Sequence, residues 1–255
     1  PFAALVQFLV RVHHHYLLPL VGAHFVSQQP GEQPTVAIVQ PLCSLRSMRD
    51  RIYGPKQSRS GRKVGITALQ SFGRQILEGM LALEQLGIVH THLHVGNVLL
   101  VRDADGEHRA VLSGWEASVL GLPISRRTRQ CVRRAHKDGG ATVEVILFGH
   151  LLFEMAFGVP LEETVPDYTG LDERRRAYDH PVRRVLDTIF EGGYFESPSA
   201  AASAAAAQQY GRRAEPTWKD LKLDRRLSIQ DVVEMPFFTR WLLDSDDGAG
   251  EDDMI

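Results

Sequence analysis

From Ile66 to Leu86 the apolar residues Leu69, Phe72, Ile76, Met80 and Leu83 return at steps of three and four. That period predicts an α-helix with one buried stripe, and Gly87 stands where such a helix stops. After "IVH" come two short apolar runs, "NVLLV" and "RAVLS", separated by "RDADGEH". Asp105-Gly106 is a strong short-turn signal, so these runs predict a β-hairpin. The segment "VEVILFGHLLFEMAFG", Val143 to Gly158, is apolar on nearly every face, with Glu144, His150 and Glu154 as its strongly polar side chains. A helix of that kind belongs in the middle of a domain.

Two further helices are predicted. In "HPVRRVLDTIF" the stripe is Val182, Val185, Leu186 and Ile189; in "SIQDVVEM" Ser228 caps the start and Asp231 answers it three residues later. Pro236 then interrupts the pattern before "FFTRWLL". Near the front, "YLLPLVGAHFV" and "TVAIVQPL" read as two β-runs across a Gly/Gln/Pro turn. The expected class is therefore α+β, with a little strand followed by mostly helix. Residues 197–211, "SPSAAASAAAAQQYG", form an Ala/Ser low-complexity insert without an apolar stripe, and an acidic tail occupies 244–255.

Composition narrows the functional classes. With 44% apolar and 24% charged residues over 255 positions, the chain can bury a full core. A formal charge of −2 gives no global pull toward nucleic acid or membrane, so neither is an expected partner. Charge is local instead. Ile124 to Lys137 holds Arg126, Arg127, Arg129, Arg133, Arg134 and Lys137 with no acid, and Asp244, Asp246, Asp247, Glu251, Asp252 and Asp253 follow near the end. The basic run is expected to be either a solvated loop or a dock for an acidic or phosphorylated protein partner. Cys43 and Cys131 lie far apart without a CxxC, which suits free thiols in the cytoplasm. The opening "PFAALVQFLV" meets Arg11 after ten residues, too short for a bilayer span and without the features of a signal peptide. Because it starts at Pro1, the chain reads as a piece of something longer.

"IVHTHLHVGNVLL" holds the candidate chemistry: His90, His92 and His94 alternate, and Asn97 follows. On an extended strand three such histidines face one way and would present three imidazoles to Zn²⁺. No carboxylate or Cys stands nearby to complete or orient the set, so no metal is expected there. "HHH" at His13 to His15 reads as a surface or packing feature.

Order and spacing offer a better account. A long amphipathic helix, "IVH", a short loop, an Asn, a hairpin and then a buried helix resemble the C-terminal lobe of a protein kinase. "HTHLHVGN" matches that family's His-Arg-Asp-x-Lys-x-x-Asn position for position. His90 and Asn97 keep the family's residues, while Thr91, His92 and His94 replace its Arg, its Asp base and its Lys. Gly114, Trp115 and Glu116 occupy the place of Asp-Phe-Gly, so the Asp that holds Mg²⁺ is absent. Glu144 stands where the family has an Asp tying the buried helix to the catalytic loop. "RRLSIQDVVEMPFF", headed by Arg226, resembles the family's closing element. "PFAALVQFLVRV" contains no acid to serve as the helix Glu, and the Gly-rich loop and nucleotide Lys would lie upstream of Pro1. Within the superfamily, "GRQILEGMLALEQLG", "HLHVGNVLL", "SVLGLP" and "FGHLLFEM" look most like the PX-domain-containing kinase-like group and its relatives that bind the Slowpoke channel.

The resemblance implies a protein kinase-like fold. Residues 1–41 would be a partial N-lobe, comprising the end of helix C and two strands, and 42–243 the C-lobe. It also implies a pseudokinase that acts as a non-catalytic scaffold or regulator, with no cofactor expected. Phosphoryl transfer depends on Mg²⁺ neutralising phosphate charge and on an Asp accepting the substrate's proton, and both carboxylates are missing. The alternative is an unusual Ser/Thr kinase, using ATP and Mg²⁺, with the imidazole of His92 as base. Trp115 either packs into the core or fills part of the vacated nucleotide cleft. A PX domain upstream would imply association with endosomes.

Overall fold

A computed structural model describes residues 2–26, 35–54, 62–103, 105–138, 140–161, 181–191 and 226–239. The insert at 197–211 and the tail at 244–255 lie outside the described residues. The chain opens with helix α1 (Phe2–Val10) and an antiparallel hairpin of β1 (Gly22–Val26) and β2 (Thr35–Val39). Next come α2 (Met48–Tyr53) and α3 (Ile66–Gln85), then a 3₁₀ turn (Val95–Asn97) that runs into β3 (Val98–Arg102) and β4 (His108–Leu112). Strands β3 and β4 pair antiparallel from Val98↔Leu112 to Arg102↔His108, so the hairpin expected around Asp105-Gly106 is present.

The core is organised around α3 and α6 (Val143–Phe157). Helix α3 buries Leu69, Phe72, Ile76, Met80 and Leu83, the stripe that its period predicts. Its end is fixed by backbone chemistry: Gly87 N–H donates to the Glu84 carbonyl and Ile88 N–H to that of Leu83, at 2.8 and 2.9 Å. This pairing needs a left-handed residue between them, and Gly87 supplies it with φ of 69°. Every residue of α6 from Val145 to Phe157 is buried, as its uniform apolarity requires. The Thr142 hydroxyl caps α6 by accepting from Val145 N–H.

The predicted stripe of α7 (Pro181–Glu191) is buried at Val182, Val185, Leu186 and Ile189 against α6. The capping box at Ser228 and Asp231 starts α8 (Ile229–Val233), and Pro236 begins α9 (Pro236–Thr239). Phe238 of α9 packs against Gly73 of α3, where any Cβ would come within 2.6 Å of its ring.

Two short helices were not marked by periodicity: α2, which Ser47 and Asp50 open with their own capping box, and α4 (Glu116–Val119). The third difference is larger. The basic run is not a loop but helix α5 (Arg126–Asp138), whose start is capped by the Ser125 hydroxyl accepting from Thr128 N–H at 3.0 Å. Thr128, Cys131 and Ala135 recur at helical spacing and are buried. Small inward side chains are enough to seat this helix on α6, with its cations directed outward and to its flanks.

Candidate functional site

The three histidines do not form one face of a strand. Leu93 and Val95 anchor the loop in the core, and the chain turns at Thr91 and His92 before them and again in the 3₁₀ turn after His94. His90 is buried, His92 is half-buried and His94 is at the surface, so the imidazoles meet three different environments. Among the described residues no group of His, Cys, Asp and Glu is arranged to hold a metal ion. Burial, reinforced by His92 nearby, pushes His90 down to about 3, so it stays neutral and packs. Partial desolvation of its ring, then His92, Arg49 and Arg127, holds His94 below the ordinary imidazole value. Its Nδ1 accepts from Gly96 N–H at 3.0 Å and caps the 3₁₀ turn. The Nε2 of His92 is buried without a hydrogen-bond partner among the described residues.

That turn delivers Asn97 to the end of β4. The Asn97 carbonyl accepts from Ser113 N–H at 2.9 Å and from the Ser113 hydroxyl at 3.2 Å. Its side-chain Nδ2 donates to the His92 carbonyl at 2.8 Å. The amide thereby lies across Gly114, whose φ is 75°. A Cβ built on Gly114 would stand 2.5 Å from Asn97 Nδ2 and 2.9 Å from Cγ. Gly114 is therefore required by Asn97 as well as by its own backbone angle. The place where a metal-binding carboxylate would project is filled by the neighbouring amide.

Trp115 is fully buried in the core, and its indole Nε1 donates to the Leu18 carbonyl at 3.1 Å. Leu18 N–H in turn donates to the Leu112 carbonyl at 2.8 Å. The indole thus fastens the segment between α1 and β1 to the end of β4. Glu116 follows, also buried; desolvation raises its carboxyl above the usual range, and one oxygen has no partner among the described residues.

The loop is gripped from the other side at Thr91, the position of the family's Arg. Thr91 N–H donates to the Ser118 hydroxyl at 3.0 Å, and the Thr128 hydroxyl donates to the Thr91 carbonyl at 2.9 Å. Glu144, whose counterpart holds the loop in the family, makes no hydrogen bond to it among the described residues; α4 and α5 hold Thr91 instead.

The six cations of α5 divide into two sets. Arg126, Arg129, Arg133 and Lys137 are exposed at steps of three, four and four. Arg127 and Arg134 are half-buried and committed to the fold. Arg127 lies 3.4 Å from Glu154 Oε2, while the Tyr53 hydroxyl donates to Glu154 Oε1 at 3.0 Å. Burial, and then the Glu154 carboxylate, raises the Tyr53 phenol further above its ordinary value. Arg134 donates to the Phe190 carbonyl at 2.6 Å and lies 5.1 Å over the Phe190 ring. Of the six cations expected at a partner surface, these two are thus engaged within the fold. Arg134→Glu should cost about 2–3 kcal/mol in urea unfolding, by losing a charged donor and placing a carboxylate against a carbonyl. Arg133→Glu should cost no more than about 0.5 kcal/mol. Equal effects would mean that Arg134 is as dispensable as its neighbour. The network of Tyr53, Arg127 and Glu154 had no signal in the sequence, since its members are far apart along the chain.

Comparison with known proteins agrees with this geometry. No family model matches the chain. Among solved structures it superimposes on the kinase domain of Rad53 with its SCD2 at a TM-score of 0.56 and 14% identity, covering 93% of this chain and 77% of that one. The chain has a protein kinase-like fold. Its sequence is similar to the Slowpoke-binding protein of Drosophila melanogaster, 31% identical over 207 residues, covering 76% of this chain and 38% of that protein. It is 27% identical over 197 residues to the PX domain-containing protein kinase-like protein of Mus musculus, covering 73% of this chain and 31% of that protein. It is also 26% identical over 211 residues to a protein of Dictyostelium discoideum named probable inactive serine/threonine-protein kinase slob1, covering 71% of this chain and 34% of that protein. The chain spans about a third of the length of these relatives. They are the group that its motifs resemble.

Proposed function

We propose that the chain is the C-terminal lobe of a pseudokinase that works by binding protein rather than by transferring phosphate. The observation that carries this reading is the amide of Asn97 lying over Gly114 and donating to the His92 carbonyl. Mg²⁺ takes oxygen ligands, dehydrates reluctantly and in nucleotide sites is held through one or two carboxylates. At this position the protein offers a glycine and an amide whose nitrogen is already used. The residues present do not fit the ion. The names of the Drosophila and Dictyostelium relatives, Slowpoke-binding protein and probable inactive serine/threonine-protein kinase slob1, support the same reading. Free Cys43 and Cys131 fit action in the cytoplasm.

The binding surface we propose is the exposed basic stripe of α5, with an acidic or phosphorylated protein as partner. The catalytic part of the reading is tested by thermal-shift titration of the intact protein with ATP, with and without Mg²⁺ or Mn²⁺. Ligand that binds only the native state must raise the midpoint, and no metal-dependent rise is expected. Phosphotransfer by the unmodified protein, lost in His92→Ala, would instead establish a working catalytic loop.

A further inference from the structure

The four exposed cations of α5 have no acidic partner among the described residues, in contrast to Arg74 with Glu78, Arg109 with Asp103 and Arg127 with Glu154. They form a tight stripe, because steps of three and four return to one helix face. From Arg126 to Lys137 the stripe runs about 16 Å at the α-helical rise of ~1.5 Å per residue. An extended chain covers that distance in about five residues. Repulsion among four cations along one face is relieved by an anionic chain laid beside them.

We infer that this face is a docking site for the chain's own acidic segment, Asp244 to Asp253. Charge and reach support it together. The segment carries six acids and no base. It begins five residues after Thr239, the end of α9, so an extended connection reaches about 17 Å to Asp244 and roughly 46 Å to Asp253. The chain that leads into α8 and α9 passes the end of α5. Leu227, which leads into α8, donates its N–H to the Gly140 carbonyl just beyond α5 and accepts from Thr142 N–H, at 2.9 and 3.0 Å. Helix α7 packs against α9 and receives Arg134 of α5 at Phe190. Helix α7 thus bridges α9 and α5, and a segment with that reach can be laid along the stripe. The segment holds the stripe closed in cis, and an outside acidic partner must displace it.

This inference rests on the stripe proposed above as the partner-binding surface, and the experiment separates the two. A fluorescent peptide of the sequence from Asp244 to Asp253 is titrated into the full chain and into a variant with Asp246→Asn, Asp247→Asn, Glu251→Gln, Asp252→Asn and Asp253→Asn. Tethering gives an effective concentration on the order of 1 mM, so neutralising the tail should tighten peptide binding by about tenfold or more. Adding Arg129→Glu and Arg133→Glu should abolish it without moving the melting midpoint, and so should raising salt to about 1 M, where screening acts within ~3 Å. Carbodiimide coupling in the full chain should link Lys137 to the tail within one molecule. Equal peptide affinity for the two forms overturns docking in cis while leaving the stripe as a dock. Links only between molecules assign the face to a second copy and overturn the inference as well. No binding to either form overturns both the inference and the stripe as an acidic-partner site.

Discussion

Gly114→Asp, the substitution that restores the kinase family's metal ligand, is expected to destabilise the protein by about 2–4 kcal/mol and to bring no Mg²⁺-dependent nucleotide affinity. Two costs add. The backbone at Gly114 has φ of 75°, a left-handed angle that costs a residue with a side chain roughly 1–2 kcal/mol. The new Cβ would also stand 2.5 Å from Asn97 Nδ2, so the amide must leave and its bond to the His92 carbonyl must break. Steric conflict, rather than the indole of Trp115, is what keeps the carboxylate from a working position. Pairing Gly114→Asp with Asn97→Ala should recover about 1 kcal/mol by clearing the amide, a non-additivity expected of residues in contact. Urea unfolding of the two variants measures it. An ATP-dependent midpoint rise that appears only with Mg²⁺ in Gly114→Asp would falsify this account of the closed site.

The same site shows what was legible in the sequence. Motif order placed His90, His92, Asn97 and Gly114 in the catalytic loop and its metal-binding counterpart, because spacing along the chain is what a motif preserves. The direction of the Asn97 amide was not legible, since it depends on Gly114, seventeen positions away. Helices α3 and α6 and the capping box at Ser228 were predicted because their causes are local: apolar period, cap chemistry and a terminal glycine. Helix α5 was missed for a physical reason. Its inward residues Thr128, Cys131 and Ala135 are small or polar, so six cations dominate the segment and hide the stripe that seats it. Glu154 was visible as a polar residue in an apolar helix, but nothing near it in sequence announced Arg127 or Tyr53.

Trp115 is where the second large effect is expected. Trp115→Ala should cost about 3–5 kcal/mol, the range for removing a large buried aromatic side chain. The more informative change is Trp115→Phe, which restores the kinase family's residue and keeps most of the apolar volume. It removes the donor to the Leu18 carbonyl, which sits in a segment already fastened to Leu112 through its own N–H. An unsatisfied carbonyl in that buried place and the residual cavity should together cost about 1–3 kcal/mol. Both costs follow from the indole being a strut between the α1–β1 connection and the end of β4. An indole that served instead to block a nucleotide cleft would behave differently: its removal would open space for the base. Trp115→Ala should therefore gain no ATP affinity with or without Mg²⁺, although it loses stability. A nucleotide-induced rise in the midpoint of Trp115→Phe, with little loss of stability in urea, would assign the side chain to the cleft and remove the strut from this account.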